Sequence, residues 1–211
     1  MELTWHGLSC FKMQARNMAT IVTDPYDLQT GLPPLHLRAD VVTVSHDAPG
    51  HNNTSAVSGY EYALTGPGEY EIGNVFITGV FTAQDDTVRQ NVLFLFDFDG
   101  ITIAHLGDMA RVPTQTQIEA LEQVNVLLVP VGGGSSLNAA QAAELVSMLE
   151  PNIVVPMHYK IPTLNIELDG VDRFLSEMGV PEATQEENLQ ISSGVLAEET
   201  AVVVLAPQHW R

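Results

Sequence analysis

The strongest constraint on how this chain can fold is a change of hydrophobic rhythm between its two halves. In the first half, apolar residues come in short alternating or β-branched runs: "LTWHGLSCFKM", "MATIVTD", "DVVTVSH", "YEIGNVFITGVF" and "NVLFLFDFDGITIAHL". Runs of this kind fit pleated strands with one face buried. In the second half, strand-like apolar runs alternate with segments of helical spacing. A strand-rich half followed by alternating helices and strands predicts a layered α/β (α+β) domain. With 211 residues, 45% of them hydrophobic and 16% charged, the chain can build one domain over residues 1–211 with a sizeable core.

Local signals place the elements. Asp99-Gly100 in "FDFDGITI" predicts a hairpin, because both residues tolerate positive φ. Gly66, Pro67, Gly68 and Gly73 punctuate turns on either side of a short strand. Residues 114–123, "TQTQIEALEQ", predict a helix with Thr114 as N-cap and Ile118 and Leu121 inward. The buried strand "VNVLLVPV" runs into "GGGSS", and a second helix follows over 138–149, capped by Asn138 and stopped before Pro151. "NIVVPMH" reads as a buried strand and "VDRFLSEMG" as a helix closed by Gly179. The segment "LQISSGVLAEETAVVVLA" predicts a closing pair of strands.

Charge narrows the partners. Eight Lys and Arg against 26 Asp and Glu give a formal net charge of -18, with local density at residues 182–199. Such a field repels phosphate backbones and anionic membranes, so a small-molecule ligand is expected rather than nucleic acid or lipid. Cys10 is the only cysteine, which excludes an intrachain disulfide and a cysteine-based zinc site. In "LSCFKM" it reads as a small buried hydrophobe. A basic segment followed by an apolar run is missing at the start, and no stretch reaches transmembrane length, so a soluble cytoplasmic protein is expected.

Ligands in layered folds gather at loops beyond the carboxyl ends of strands. Polar residues end four apolar strands: His46, Gln84-Asp85-Asp86, Asp108 and His158. Two histidines and a carboxylate delivered to one rim make a zinc or iron set.

At these residues the chain resembles the metallo-β-lactamase superfamily, and within it the small metal-dependent hydrolases similar to L-ascorbate-6-phosphate lactonase. The resembling blocks run through most of the chain: "LTWHGLSCF", "ATIVTDPYD", "ADVVTVSHDAPGHNN", "GPGEYEIGNVFITGV", "GITIAHLGDM", "VNVLLVPVGGG" and "EPNIVVPMHYK". The resemblance implies a four-layer αββα sandwich and a metal centre on a His-x-His-x-Asp-His loop. Laid on "HDAPGH", that loop keeps His46 and His51 but puts Ala48 and Gly50 at its middle ligands. A third histidine of the family falls on Gln84, the bridging carboxylate on Asp108 and the last histidine on His158. "WLGHS" of relatives reads "WHGLS" here, and a histidine soon after "GD" aligns with Arg111.

The implied ligand set is therefore His46, His51, Asp108 and His158, with Asp108 at the catalytic position and Asp24, Gln84 and Arg111 around it. Asp47 is offset by one residue from a ligand position and turns away. The set suits one divalent metal (zinc, manganese or iron) on His51, Asp108 and His158 with His46 nearby. A metal-free pseudoenzyme is the rival. The expectation is an eroded dinuclear centre with weak or no hydrolase activity. The alternative is a mononuclear hydrolase that activates water against an ester, lactone or phosphoester. Relatives are often oligomeric, so a homo-oligomer is compatible.

Bland roles compete for several of these residues. Asp24 reads as a structural carboxylate, Asp108 could cap backbone N–H groups in its turn, and His105 inside a strand reads as a satisfied interior histidine. His6, His36 and His209 have no spacing partner. The three glycines of "VPVGGGSSLNAAQ" could cradle a phosphate or form a sharp loop near the site mouth. A P-loop lysine is missing, which argues against nucleotide binding.

Overall fold

The computed structural model describes residues 1–82, 90–114, 118, 121, 123–180, 183–192, 194 and 196–208. The first half forms β1 (Glu2–Gly7), β2 (Cys10–Gln14), β3 (Ile21–Thr23), β4 (Leu37–Arg38), β5 (Val41–Thr43), β6 (Val57–Ser58), β7 (Tyr62–Leu64), β8 (Gly68–Ile72), β9 (Val75–Phe81) and β10 (Val92–Asp97). The second half forms β11 (Thr102–His105), β12 (Val126–Pro130), α1 (Ala139–Leu149), β13 (Ile153–Met157), α2 (Val171–Glu177), β14 (Gln185–Glu186), β15 (Leu189–Gln190), β16 (Ala201–Val202) and β17 (Val204–Leu205).

Two sheets carry the fold. One has six strands in the order β15-β1-β2-β3-β5-β7, the other seven in the order β16-β13-β12-β11-β10-β9-β8. Strands β3, β5 and β7 are parallel in the first, and β11, β12, β13 and β16 in the second. The crossovers between the parallel strands of the first sheet carry the 3-10 turns Leu28–Thr30 and Thr54–Ala56. α1 contacts β12 and packs on α2. The expected mixed α/β architecture is present, and no helix among the described residues is long and apolar enough to cross a membrane.

The periodicity of the sequence explains the burial. β1 alternates strictly, with Leu3, Trp5 and Gly7 inward, while β12 is buried at every position because it is covered on both faces. Trp5, Phe11, Phe94 and Phe96 are fully buried, and each such side chain contributes about 1.5–3 kcal/mol through removal of apolar surface from water. The indole N–H of Trp5 donates to the Leu8 carbonyl at 2.9 Å, so its polar atom is satisfied inside the core. Cys10 is buried, as its surroundings predict, and burial pushes its thiol pKa well up.

Most local expectations hold. Asp99 (φ 55°) and Gly100 (φ 82°) turn β10 into β11, with Phe98 and Ile101 exchanging backbone hydrogen bonds. Asn138 caps α1 through a capping box: its side chain accepts from the Gln141 N–H, and Gln141 accepts from the Asn138 N–H. Gly179 follows α2 with φ 69°. Of the helix expected over 114–123, Ile118 donates its N–H to the Thr114 carbonyl at 3.0 Å, and Ile118 and Leu121 are buried. Residues 115–117, 119, 120 and 122 lie outside the described residues.

The end of the chain corrects its expectation. β15 pairs with β1, β16 with β13 and β17 with β14, so the closing strands serve three different sheets rather than one another. Two-residue strands carry too little periodicity to select partners. Distant backbones with open edges select them instead.

Candidate metal centre

The parallel strands of both sheets deliver polar residues to one rim. Asp24 follows β3 directly, Ser45 and His46 follow β5, Asp108 follows β11, and His158 follows β13. Both Asp24 (φ 39°) and His158 (φ 51°) leave their strands in the left-handed region, which breaks the alternation and redirects the side chain. The His158 N–H donates to the Leu8 carbonyl at 3.1 Å, tying the last strand of the site to the first hairpin. Gly107 (φ 59°) cannot be replaced cheaply: a Cβ there would stand 2.4 Å from Asn91 Oδ1 and 2.5 Å from Ser45 Cβ. That close approach lets Asn91 Oδ1 accept the Asp108 N–H at 2.8 Å.

Asp24 organises the buried side of the centre. Its carboxylate accepts from the Ser45 N–H at 2.7 Å, the Ser45 hydroxyl at 2.6 Å and His51 Nδ1 at 2.8 Å. Burial raises the pKa of Asp24, but the hydrogen bond and charge of His51, with His105 and Ser45, outweigh it and hold the carboxyl below its usual range. An ionised Asp24 accepts only, so Nδ1 of His51 carries a proton, and in the neutral ring Nε2 holds the lone pair. His46 is held in a similar way. The Ser45 proton is committed to Asp24, so its oxygen accepts from His46 Nδ1 at 3.0 Å. In the neutral ring Nε2 of His46 is then the lone-pair nitrogen, and it faces Asp108 Oδ2 at 4.0 Å.

Among the described residues His46, His51 and Asp108 form the closest set of donors with His158 beside it, whereas the sequence put His158 in the set and His46 beside it. His158 Nδ1 stands 3.7 Å from Asp108 Oδ1, and the rings of His46 and His158 lie 4.1 and 5.4 Å from that of His51. Ligand atoms of His46, His51 and Asp108 all fall within 4.8 Å of one another. Burial raises the Asp108 pKa, but the charges of His158 and His51, the Ser135 hydroxyl and the His46 charge together hold it below its usual range. Donors on a tetrahedral zinc with bonds of about 2.0–2.2 Å stand about 3.3–3.6 Å apart, so 3.7–4.0 Å needs only small adjustments. These residues fit one divalent cation.

The site opens into a cleft of about 330 Å³ lined by Gln29, Thr30, Ala48, Gly50, Ser135 and Ile166 among others. Ala48 and Gly50 line it without offering a donor. A Cβ on Gly50 would meet Leu8 Cδ1 at 3.5 Å and Thr30 Cγ2 at 4.0 Å, ordinary contacts, so space exists there. Asp47 is exposed and accepts from the Asn52 side chain, turned away as its offset predicts.

Arg111 is exposed, three residues beyond Asp108. Gln84, Asp85, Asp86 and His209 lie outside the described residues. His105 is fully buried; its Nε2 meets the Ser9 carbonyl at 2.8 Å but its Nδ1 has no hydrogen-bond partner among the described residues, so the expected interior histidine is satisfied at one nitrogen only. The Asp108 side chain reaches across the rim to Ser135, His46 and His158, well beyond its own turn. Sequence reasoning missed Ser45, Asn91 and Ser135, since lone hydroxyls and amides beside strand ends carry no spacing signature.

A family model described as a beta-lactamase superfamily domain matches residues 2–158. The chain belongs to the metallo-β-lactamase superfamily. Its relatives there include a UPF0173 protein of Pyrococcus furiosus, 29% identical over 186 residues covering 75% of this chain and 83% of the relative. A UPF0173 metal-dependent hydrolase of Methanoculleus marisnigri is 27% identical over 201 residues, covering 82% and 88%. Among solved structures, a Thermotoga maritima member of the superfamily superposes with a TM-score of 0.80 at 34% identity over 97% of both chains. The superfamily assignment agrees with the two-sheet architecture and with the rim where the histidines meet.

Proposed function

We propose that this member of the metal-dependent hydrolase family has a reduced centre, with one divalent cation on His46, His51, Asp108 and His158 and little hydrolase activity. One observation carries the reading. Asp24 and Ser45 hold His51 and His46 in metal-ligating tautomers, while Ala48 and Gly50 supply no donor to a second position. Three histidines and one carboxylate are a sufficient set for a single zinc, manganese or iron, and a poor one for two.

When bound, a divalent cation supplies Lewis acidity and lowers the pKa of water. The chain's own residues do the rest. Asp24 and Ser45 orient the two histidines, Asn91 and Ser135 fix Asp108, and the cleft admits a small ester, lactone or phosphoester. Two-cation hydrolases clamp both the attacking and leaving oxygens, and one cation gives up part of that stabilisation.

Metal analysis of protein purified without chelator, with zinc, manganese and iron supplied separately, tests the reading. About one equivalent per chain is expected, abolished in His51→Ala, with slow turnover of activated esters. Less than a tenth of an equivalent under every condition would leave a metal-free pseudoenzyme.

A further inference from the structure

The glycine run after β12 has a role that the ligand set leaves unexplained. Gly133 (φ 70°) and Gly134 (φ 71°) are consecutive left-handed residues, a path open to glycine and poorly open to others. The turn they make is closed on itself. The Gly133 N–H donates to the Leu137 carbonyl at 3.0 Å, and the Ser136 N–H and hydroxyl both donate to the Gly133 carbonyl. Leu137 is fully buried and donates its N–H to the carbonyl of Met109, the residue after Asp108. The loop is thus anchored beside Asp108, and Ser135 at its crest donates its hydroxyl to Asp108 Oδ2 at 2.7 Å. No phosphate cradle is needed to explain these glycines.

We infer that this glycine turn places Ser135 as the positioning residue of the metal centre, its hydroxyl fixing the rotation of the Asp108 carboxylate. With Oδ2 held by Ser135, Oδ1 is turned toward His158 Nδ1 at 3.7 Å, and the carboxylate meets the histidines in one orientation. A carboxylate committed through one oxygen to a hydroxyl suits a single cation better than a bridge between two. The inference rests on the one-cation reading above, and Ser135 acts through Asp108 rather than on substrate. Outer partners of metal ligands are worth about 10–100-fold in affinity.

Calorimetric titration of the full chain with Mn²⁺ and, separately, Zn²⁺ tests it, alongside the thermal midpoint of the metal-free proteins. Ser135→Ala is expected to weaken binding at least tenfold, and Ser135→Thr, which keeps the hydroxyl, to stay within about threefold of the parent. Because Ser135 is exposed, the metal-free midpoints of the three proteins are expected to coincide. Parental affinity in Ser135→Ala overturns the inference alone, and so does Ser135→Thr as weak as Ser135→Ala. An alanine variant weakened only in step with a lowered metal-free midpoint also overturns it. A parent that takes up neither cation overturns this inference and the one-cation reading together.

Discussion

Two sides of the same cleft contrast. On one side three of the four donors are backed by a second residue: His51 by Asp24, His46 by Ser45, Asp108 by Asn91 and Ser135. On the other side Ala48 and Gly50 offer room and no ligand. On the one-cation reading proposed above, the network orienting the ligands and the ligand complement are separable. Asp24, Ser45 and Asn91 of the orienting network are buried at strand ends, where a change costs fold stability, while Ser135 is exposed. Ala48 and Gly50 sit on a loop that tolerates side-chain loss with little consequence for packing.

The backed side is expected to break most severely. His51→Ala removes a ligand nitrogen and should raise the dissociation constant for zinc or manganese at least 100-fold, about 2.7 kcal/mol, in a metal titration. Asp24→Asn keeps the shape but removes the charge that fixes the His51 tautomer, and should cost about 10–100-fold in the same titration. Asp24→Asn also carries a pH signature. The folded-state pKa of Asp24 is depressed, so its contribution is complete above the unfolded value of about 3.9 and is lost as pH falls through the folded one. Urea unfolding below pH 4 should therefore fall less steeply with acid in Asp24→Asn than in the parent.

The empty side offers a gain rather than a loss. Ala48→His combined with Gly50→Asp should raise zinc uptake from about one equivalent toward two, because Gly50 has ordinary contacts and no positive φ to forbid a side chain. Unchanged stoichiometry in a folded double variant would mean that lack of donors is not what limits the second position.

The smallest effect separates the centre from the core beneath it. Burial lowers the His105 pKa more than Asp24 and the Ser9 carbonyl raise it. Its neutral form is the folded one, so the contribution is complete above about pH 6.5 and is lost as pH falls through the folded value. The slope is at most about 1.4 kcal/mol per pH unit. Urea midpoints of His105→Gln should be flatter than the parent just below pH 6.5, with one-cation binding at neutral pH retained.

Much of this was legible in the sequence, for identifiable reasons. The Asp99-Gly100 hairpin and the Asn138 capping box are local, and local chemistry decides them. His46, Asp108 and His158 stood out because polar residues directly after apolar strands have little packing rationale. The wiring stayed hidden because it is long-range: Ser135 meets Asp108 across 27 residues, and Asn91 meets Asp108 across 17. The pairing of β14 to β17 was illegible for the same reason, since two-residue strands are chosen by edges formed elsewhere.

Anomalous scattering from a crystal grown with zinc tests the central claim most directly. One peak per chain is expected, bounded by His46, His51, Asp108 and His158, with nothing beside Ala48 and Gly50. Two peaks of comparable occupancy, or none at saturating zinc, would contradict it.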